Sequence, residues 1–382
     1  MIEPESLEKL GREIQGRVSA DRSLLEELRS QMRALRGATR RIQPRATTAI
    51  SLVATDGGDN QIQFDPFLIQ LVRVVDSSNN EYCLEAITPT TDVEVLSRSQ
   101  FDESGVPLTP LGELMAYLGV RDLPALSHMI RPPRDGRPIS PSWVATYRSL
   151  VEWSILFKII RSKDFATDTL IVFDGLLRSK LFAESHFTKM MAGIREAIEQ
   201  KRKDQRRRIY LVGIAKHSAV LIRYRLAMAL EGVLNCDYPA YVEIPPWIER
   251  ATYSWREWAP GEEEAGDRES ASIRFVAGKL FFVKFGSGRH DPIWPVDVFE
   301  PQANEAQTIL GFLLADAVEG FPIAHYPRCL QKAHENAALV DFDFEVMQDQ
   351  VFAGLRSILG DMSPILDSFR LQDADPSRRR YG

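Results

Sequence analysis

Two short apolar runs, far apart in this chain, end in the same way. Residues 48–55 read TAISLVAT and are followed by Asp56-Gly57-Gly58, while residues 169–173 read TLIVF and are followed by Asp174-Gly175. Continuous apolar runs of this length, rich in β-branched residues, are the mark of strands covered on both faces. A carboxylate just past the C-terminal edge of such a strand lies in the crevice where open α/β sheets bind ligands. The glycine behind it lets the chain turn sharply and lets another backbone or a phosphate come close. If the two strands are neighbours, Asp56 and Asp174 converge, and two like charges at that range are costly without a cation between them. Taken singly, each Asp-Gly reads first as an ordinary turn; the pair on matching strands reads equally as a turn or as a site.

The rest of the chain fits a mixed sheet with helices on its faces. Leu7, Leu10, Ile14 and Val18, then Leu24, Leu25, Leu28, Met32 and Leu35, recur every three or four residues and predict one long amphipathic helix over 6–36, with 19–21 as a point of interruption. The basic run Arg36, Arg40, Arg41 and Arg45 reads as a linker, which makes residues 1–45 an N-terminal helical extension. Strands are expected at 48–55, 61–75 and 81–87, the last two joined by the turn at 76–80. Residues 88–141, rich in proline and glycine, read as an insertion with one short helix near 111–117. Helices at 142–160, 185–206 and 218–230 then alternate with strands at 169–173 and 209–215. Further strands are expected at 241–244, 273–285 and 293–299, around an acidic loop at 261–270. Helices near 304–318, 328–340 and 344–358 close the fold, and 373–382 read as a disordered tail. Hairpins first, then strand–helix alternation, predict an α/β mixed sheet. The main domain spans 46–345, followed by a C-terminal helix and tail over 346–382.

Composition sets outer bounds. With 382 residues, 44% hydrophobic and 26% charged, the chain has ordinary globular composition. A net charge of −6 gives no general attraction to phosphate, so any polyanion site must be a local basic patch. Three widely spaced cysteines, Cys83, Cys236 and Cys329, exclude a disulfide scaffold and point to a reducing, cytoplasmic setting. No run is long and apolar enough to span a membrane.

Other residues join the two aspartates. Glu152 stands in the middle of the mostly apolar helix at 142–160, which can carry it back to the same sheet edge; a solvated or salt-bridged Glu is the plain alternative. Three acidic groups at one edge form a hard-oxygen site for a divalent cation, whose natural use is phosphodiester hydrolysis. Arg178, Lys180 and Lys216 follow strands that feed this edge and are candidates for holding nucleic-acid phosphate. The cluster Lys201, Arg202, Lys203, Arg206, Arg207 and Arg208 reads equally as a phosphate patch or as a solvated helix end. His334 is a reasonable Mn²⁺ ligand, with His325 competing for that role.

Five pieces then line up along residues 48–340: Ala54-Thr55-Asp56-Gly57-Gly58; Arg148-Ser149-Leu150-Val151-Glu152; Leu170 through Asp174 to Leu177; Leu211 through Lys216 to Ser218; and Tyr326-Pro327, Leu330, Ala333-His334. In this order they resemble the NurA nuclease family, prokaryotic nucleases with an RNase H-like core that work with the HerA translocase. The resemblance implies that Asp56, Glu152, Asp174 and His334 are metal ligands, with Mn²⁺ (or Mg²⁺) as cofactor. It implies that Lys216 holds the phosphate. Further implications are 5′–3′ exonuclease action with single-strand endonuclease activity, a homodimer facing a hexameric HerA-type ATPase, and a role in DNA end resection and repair or in phage defence. The N-terminal helix becomes a dimer or partner-docking element. Gly58, Leu176 and His217 depart from the family pattern beside these motifs. Two other classes stay in view: a catalytically silent DNA- or HerA-binding subunit, and a phosphotransferase of the actin and sugar-kinase type, which also places Asp-Gly-Gly after a first strand.

Overall fold

An aspartate divides the N-terminal amphipathic stretch into two helices. The computed structural model describes residues 3–45, 50–64, 67–131, 142–253, 275–338 and 341–360, with only the backbone at 50–64, 67, 68, 142, 253, 341–345 and 348. Helices α1 (Pro4–Ala20) and α2 (Arg22–Arg36) meet at Asp21, whose φ of −84° and ψ of 5° break the single helix expected over 6–36. α2 buries Met32 and Leu35. α1 buries none of its residues and leaves Leu7, Leu10, Ile14 and Val18 exposed. The expected linker is also part of the body: Arg40–Arg41 form an edge strand, β1, and Ile42 behind them is buried.

β2 (Ile50–Phe64) runs straight through Asp56-Gly57-Gly58. The turn expected there is absent, and the hairpin to β3 (Phe67–Asp76) closes at Phe64↔Phe67. β4 (Glu81–Ile87) completes an antiparallel meander with β3. The segment at 88–131 carries three helices where one was expected. Its helices α3 (Val93–Arg98), α4 (Pro110–Leu118) and α5 (Leu123–Leu126) each bury apolar residues, and Leu111, Leu114 and Met115 belong to the main core. Asp92, Thr109 and Asp122 cap their first turns by accepting backbone N–H groups, which satisfies donors the helices leave open. α6 (Ser142–Ser162), β5 (Asp168–Asp174), α7 (His186–Asp204), β6 (Ile209–Ile214) and α8 (Ala219–Glu231) follow the expected alternation. Then come β7 (Ala240–Glu243), α9 (Pro246–Tyr253), β8 (Gly278–Lys284) and β9 (Ile293–Phe299). A 3-10 turn at Glu300–Glu305 leads to α10 (Ala306–Val318), α11 (Arg328–Ala337) and α12 (Asp341–Leu359). The acidic loop at 261–270 and the tail at 373–382 lie outside the described residues.

The nine strands among the described residues form one mixed sheet in the order β1-β7-β8-β9-β6-β5-β2-β3-β4. β2, β5 and β6 are parallel; every other pairing is antiparallel. Alternation along the strands builds two cores. Ile171 and Phe173 of β5, with Leu211 of β6, face α4, α6 and α7. Leu170 and Val172 of β5, with Val212 and Ile214, face α10 and α11. A third cluster seats α2 and α8 on β7 and β8, where Arg29 and Arg33 both bond Glu231. β2 is thus covered by α6 on one side and by α11 on the other.

The sheet edge at the C-terminal end of β5 is recessed. β2 continues nine residues past Thr55, its last partner on β5. On the other flank, Ile293, Trp294 and Pro295 of β9 run on beyond Val296, which pairs with Ile214 at the end of β6.

Candidate active site

Register places the two aspartates side by side. Thr55 pairs with Phe173, so Asp56 and Asp174 each stand one step further along adjacent parallel strands, whose spacing is about 4.8 Å. The side chain of Asp56 is outside the described residues. Asp174 follows the face of Leu170 and Val172, the side covered by α10 and α11. Behind it, Gly175 takes φ +138°, a conformation that disfavours side chains, and its N–H bonds the carbonyl of Ile214 at 2.8 Å. Gly213 on β6 makes room for this turn: a Cβ there would stand 2.3 Å from the Gly175 carbonyl oxygen.

Both oxygens of Asp174 are engaged from the α10 and α11 side. Lys216 Nζ stands 3.6 Å from Oδ2, and the Tyr326 hydroxyl donates to Oδ1 at 3.4 Å. Lys216 lies in the short connection between β6 and the N-cap of α8, Ser218, whose hydroxyl accepts the Leu221 N–H. A βα connection at the C-terminal strand edge is the usual ligand position in such sheets. Its ammonium also lies 6.0 Å from the centre of the Tyr326 ring. Tyr326 is buried, packs on Trp294 with ring centres 4.7 Å apart, and sits two residues before α11. Trp294 is itself tied down by its indole N–H, which donates to the His325 carbonyl at 2.6 Å. Asp174 keeps 19% and Lys216 38% of side-chain surface in contact with solvent.

Glu152 approaches from the opposite face. Trp153, its neighbour on α6, packs against Phe173 with ring centres 4.4 Å apart, which sets that turn of α6 level with the end of β5. Glu152 is half-buried, and Arg148 Nε stands 3.6 Å from its carboxylate, one helical turn away. His334 is exposed on α11, while the His325 ring turns toward Asp291, with Nε2 at 3.7 Å. Among the described residues, no group of three or more His, Cys, Asp or Glu stands close enough to hold a metal ion. A full ligand set therefore needs Asp56. Carboxylate oxygen is the donor type that a hard divalent cation takes.

Arg178, read from the sequence as a phosphate contact, is a correction. Its side chain is 7% exposed, and its Nε and Nη2 donate to the two oxygens of Asp297 at 2.9 and 2.6 Å, while Nη1 donates to Glu249 at 2.7 Å. Asp297 is fully buried, so the guanidinium is the counter-ion that allows it to stay there. Burial pushes the Glu249 carboxyl above its ordinary value, against the pull of Arg178. Lys180 is half-buried, and that burial lowers its ammonium pKa. The basic run at 201–208 is mixed. Lys201 turns inward to donate to the Lys163 carbonyl at 2.8 Å, Arg208 lies 3.6 Å from Glu305, and the residues between are mostly exposed. Neither Asp297 nor Glu249 was marked by any pattern in the sequence, and Tyr326 stood out only as part of a motif.

No family model matches this chain, and no curated protein does. Several solved structures are similar. The NurA nuclease from Sulfolobus solfataricus is 14% identical over 94% of this chain and 99% of its own, with a TM-score of 0.41. A second NurA structure is 10% identical over 92% and 98%, with a TM-score of 0.42. A NurA bound to dAMP and manganese is 13% identical over 89% and 94%, with a TM-score of 0.36. No described helix is long and apolar enough to cross a membrane.

Proposed function

We propose that the protein is a divalent-metal-dependent DNA nuclease of the NurA type. One observation carries this reading: Asp56 and Asp174 occupy adjacent register positions where the β2–β5 pairing ends, with a lysine from the next βα connection on the second of them. The meander β4-β3-β2 followed by parallel β5 and β6 supports an RNase H-like core. Asp56, Glu152, Asp174 and His334 would hold Mn²⁺ or Mg²⁺. Such a cation, when bound, polarises a phosphodiester and lowers the pKa of water. Within the chain's own chemistry, Tyr326 fixes the Asp174 carboxylate and Lys216 brings a positive charge to the phosphate. Arg178 takes no part. Arg202, Lys203 and Arg206 are exposed and available for salt-dependent attraction of the polyanion. In this reading α1, with its stripe of exposed Leu7, Leu10, Ile14 and Val18, is the docking element for a second copy or for a HerA-type ATPase, and the pair acts in DNA end processing or phage defence.

The alternatives fare differently. A phosphotransferase needs a phosphate-holding turn at Asp56-Gly57-Gly58, and the unbroken β2 offers none. A silent subunit is favoured by one observation, the neutralisation of Asp174 by Lys216 and Tyr326. Purified protein incubated with linear DNA and Mn²⁺ separates the two. Degradation that disappears in Asp56→Ala and in Asp174→Asn supports the nuclease; no degradation with Mn²⁺, alone or with a HerA-type ATPase, supports the silent subunit.

A further inference from the structure

We infer that Lys216 is a built-in competitor for the metal site: without a cation its ammonium guards Asp174 Oδ2, and it yields that oxygen to a divalent cation, freeing itself for the substrate phosphate. This rests on the metal centre of the proposed nuclease. Three features of the cluster lead to it. Two partners of Asp174, Tyr326 and Lys216, are unequal in mobility. Tyr326 is buried, stacked on Trp294 and tied into the turn before α11 through its carbonyl, which accepts from Gln331 Nε2 at 2.9 Å. Lys216 is 38% exposed and holds Oδ2 at 3.6 Å, longer than a good charge-assisted hydrogen bond. A flexible ammonium in that position is a weak partner, worth little net energy because water competes for both charges. Of these two partners Tyr326 is held in place by its own packing, and Lys216, the latch, is the mobile one. When Lys216 gives up Oδ2, its Nζ has the Tyr326 ring face for support at 6.0 Å. The device keeps two positive charges from sharing one carboxylate, and it moves a cation toward phosphate only once the site is loaded.

Such a latch taxes metal affinity by the fraction of time it is closed. Two measurements with Mn²⁺ alone, without DNA, test it. Titration of Mn²⁺ followed by its electron paramagnetic resonance signal should give a Kd about two- to fivefold lower for Lys216→Met than for the unaltered protein. Pulse acetylation mapped by mass spectrometry should show Lys216 reacting several-fold faster at saturating Mn²⁺, while Lys158 and Lys279, each paired to a glutamate at 2.7 and 2.8 Å, keep their rates. Equal or weaker Mn²⁺ binding by Lys216→Met, or an unchanged acetylation rate at Lys216, overturns the latch and leaves the nuclease reading intact. Mn²⁺ binding no tighter in the unaltered protein than in Asp174→Asn removes the metal centre itself, and the latch with it.

Discussion

Two clusters in this protein are made from the same ingredients, a cation following an apolar strand and a carboxylate on another element, yet they behave as opposites. Around Arg178 the geometry is closed: a planar guanidinium spans both oxygens of a fully buried aspartate and takes Glu249 as well, all at 2.6–2.9 Å. Around Lys216 it is open, with contacts of 3.4 and 3.6 Å to a carboxylate that still meets solvent. Arginine's rigid fork suits the first, and lysine's single, strongly hydrated ammonium suits the second. Burial and the number of bonds per partner thus separate a structural bolt from a reactive site. Residue type does not.

The sharpest way to break the contrast is to remove one charged group from each cluster. Asp174→Asn should cut Mn²⁺-dependent cleavage of linear DNA by about a thousandfold, with its urea midpoint nearly unchanged; cleavage above a tenth of the original rate would place the chemistry elsewhere. Arg178→Ala should do the reverse. By stranding a buried carboxylate it should cost roughly 3–5 kcal/mol of stability, measured by urea unfolding, while the folded fraction keeps its DNA affinity. Undiminished stability with weakened DNA binding would mean that the closed cluster had been misread.

A smaller effect separates the clusters by pH. Folded Glu249 holds its proton above the ordinary 4.5, so the folded state binds more protons than the unfolded one across that window. Stability from this group is then full below pH 4.5 and declines as pH rises through the raised value. Glu249→Gln should flatten that decline in urea midpoints taken as a pH series, and a series parallel to the unaltered protein would refute the shift. Least of all should change in α1, which buries nothing. Leu10→Ser with Ile14→Ser should alter unfolding stability by under about 0.5 kcal/mol yet weaken self-association or ATPase docking in light scattering; unaltered association would remove the docking role.

Much of the sheet was legible in the sequence, for identifiable reasons. β5, β6, β7 and β9 are apolar runs with clear punctuation, and the alternating helices follow period and caps. What failed was local competition. Asp56-Gly57-Gly58 reads as a turn by composition, but pairing with β3 from Thr55↔Asp76 onward carries the strand through it. The stretch at 88–131 reads as an insertion with one short helix because proline and glycine are frequent there, whereas it holds three helices, with Leu111, Leu114 and Met115 buried against α6 and α7. At the candidate site, Asp174 and Lys216 were read from strand ends and lie together. Arg178 was read by the same rule and turned inward, because Asp297 lies 119 residues away and nothing local announces it.

The recess at the end of β5 has a consequence for how anything reaches Asp174. Two short parallel strands stop between two longer ribbons, and three inter-strand steps span only about 14 Å. The floor is a slot with raised sides. A broad, flat surface would rest on the rims, whereas a slender chain can reach the carboxylate between them.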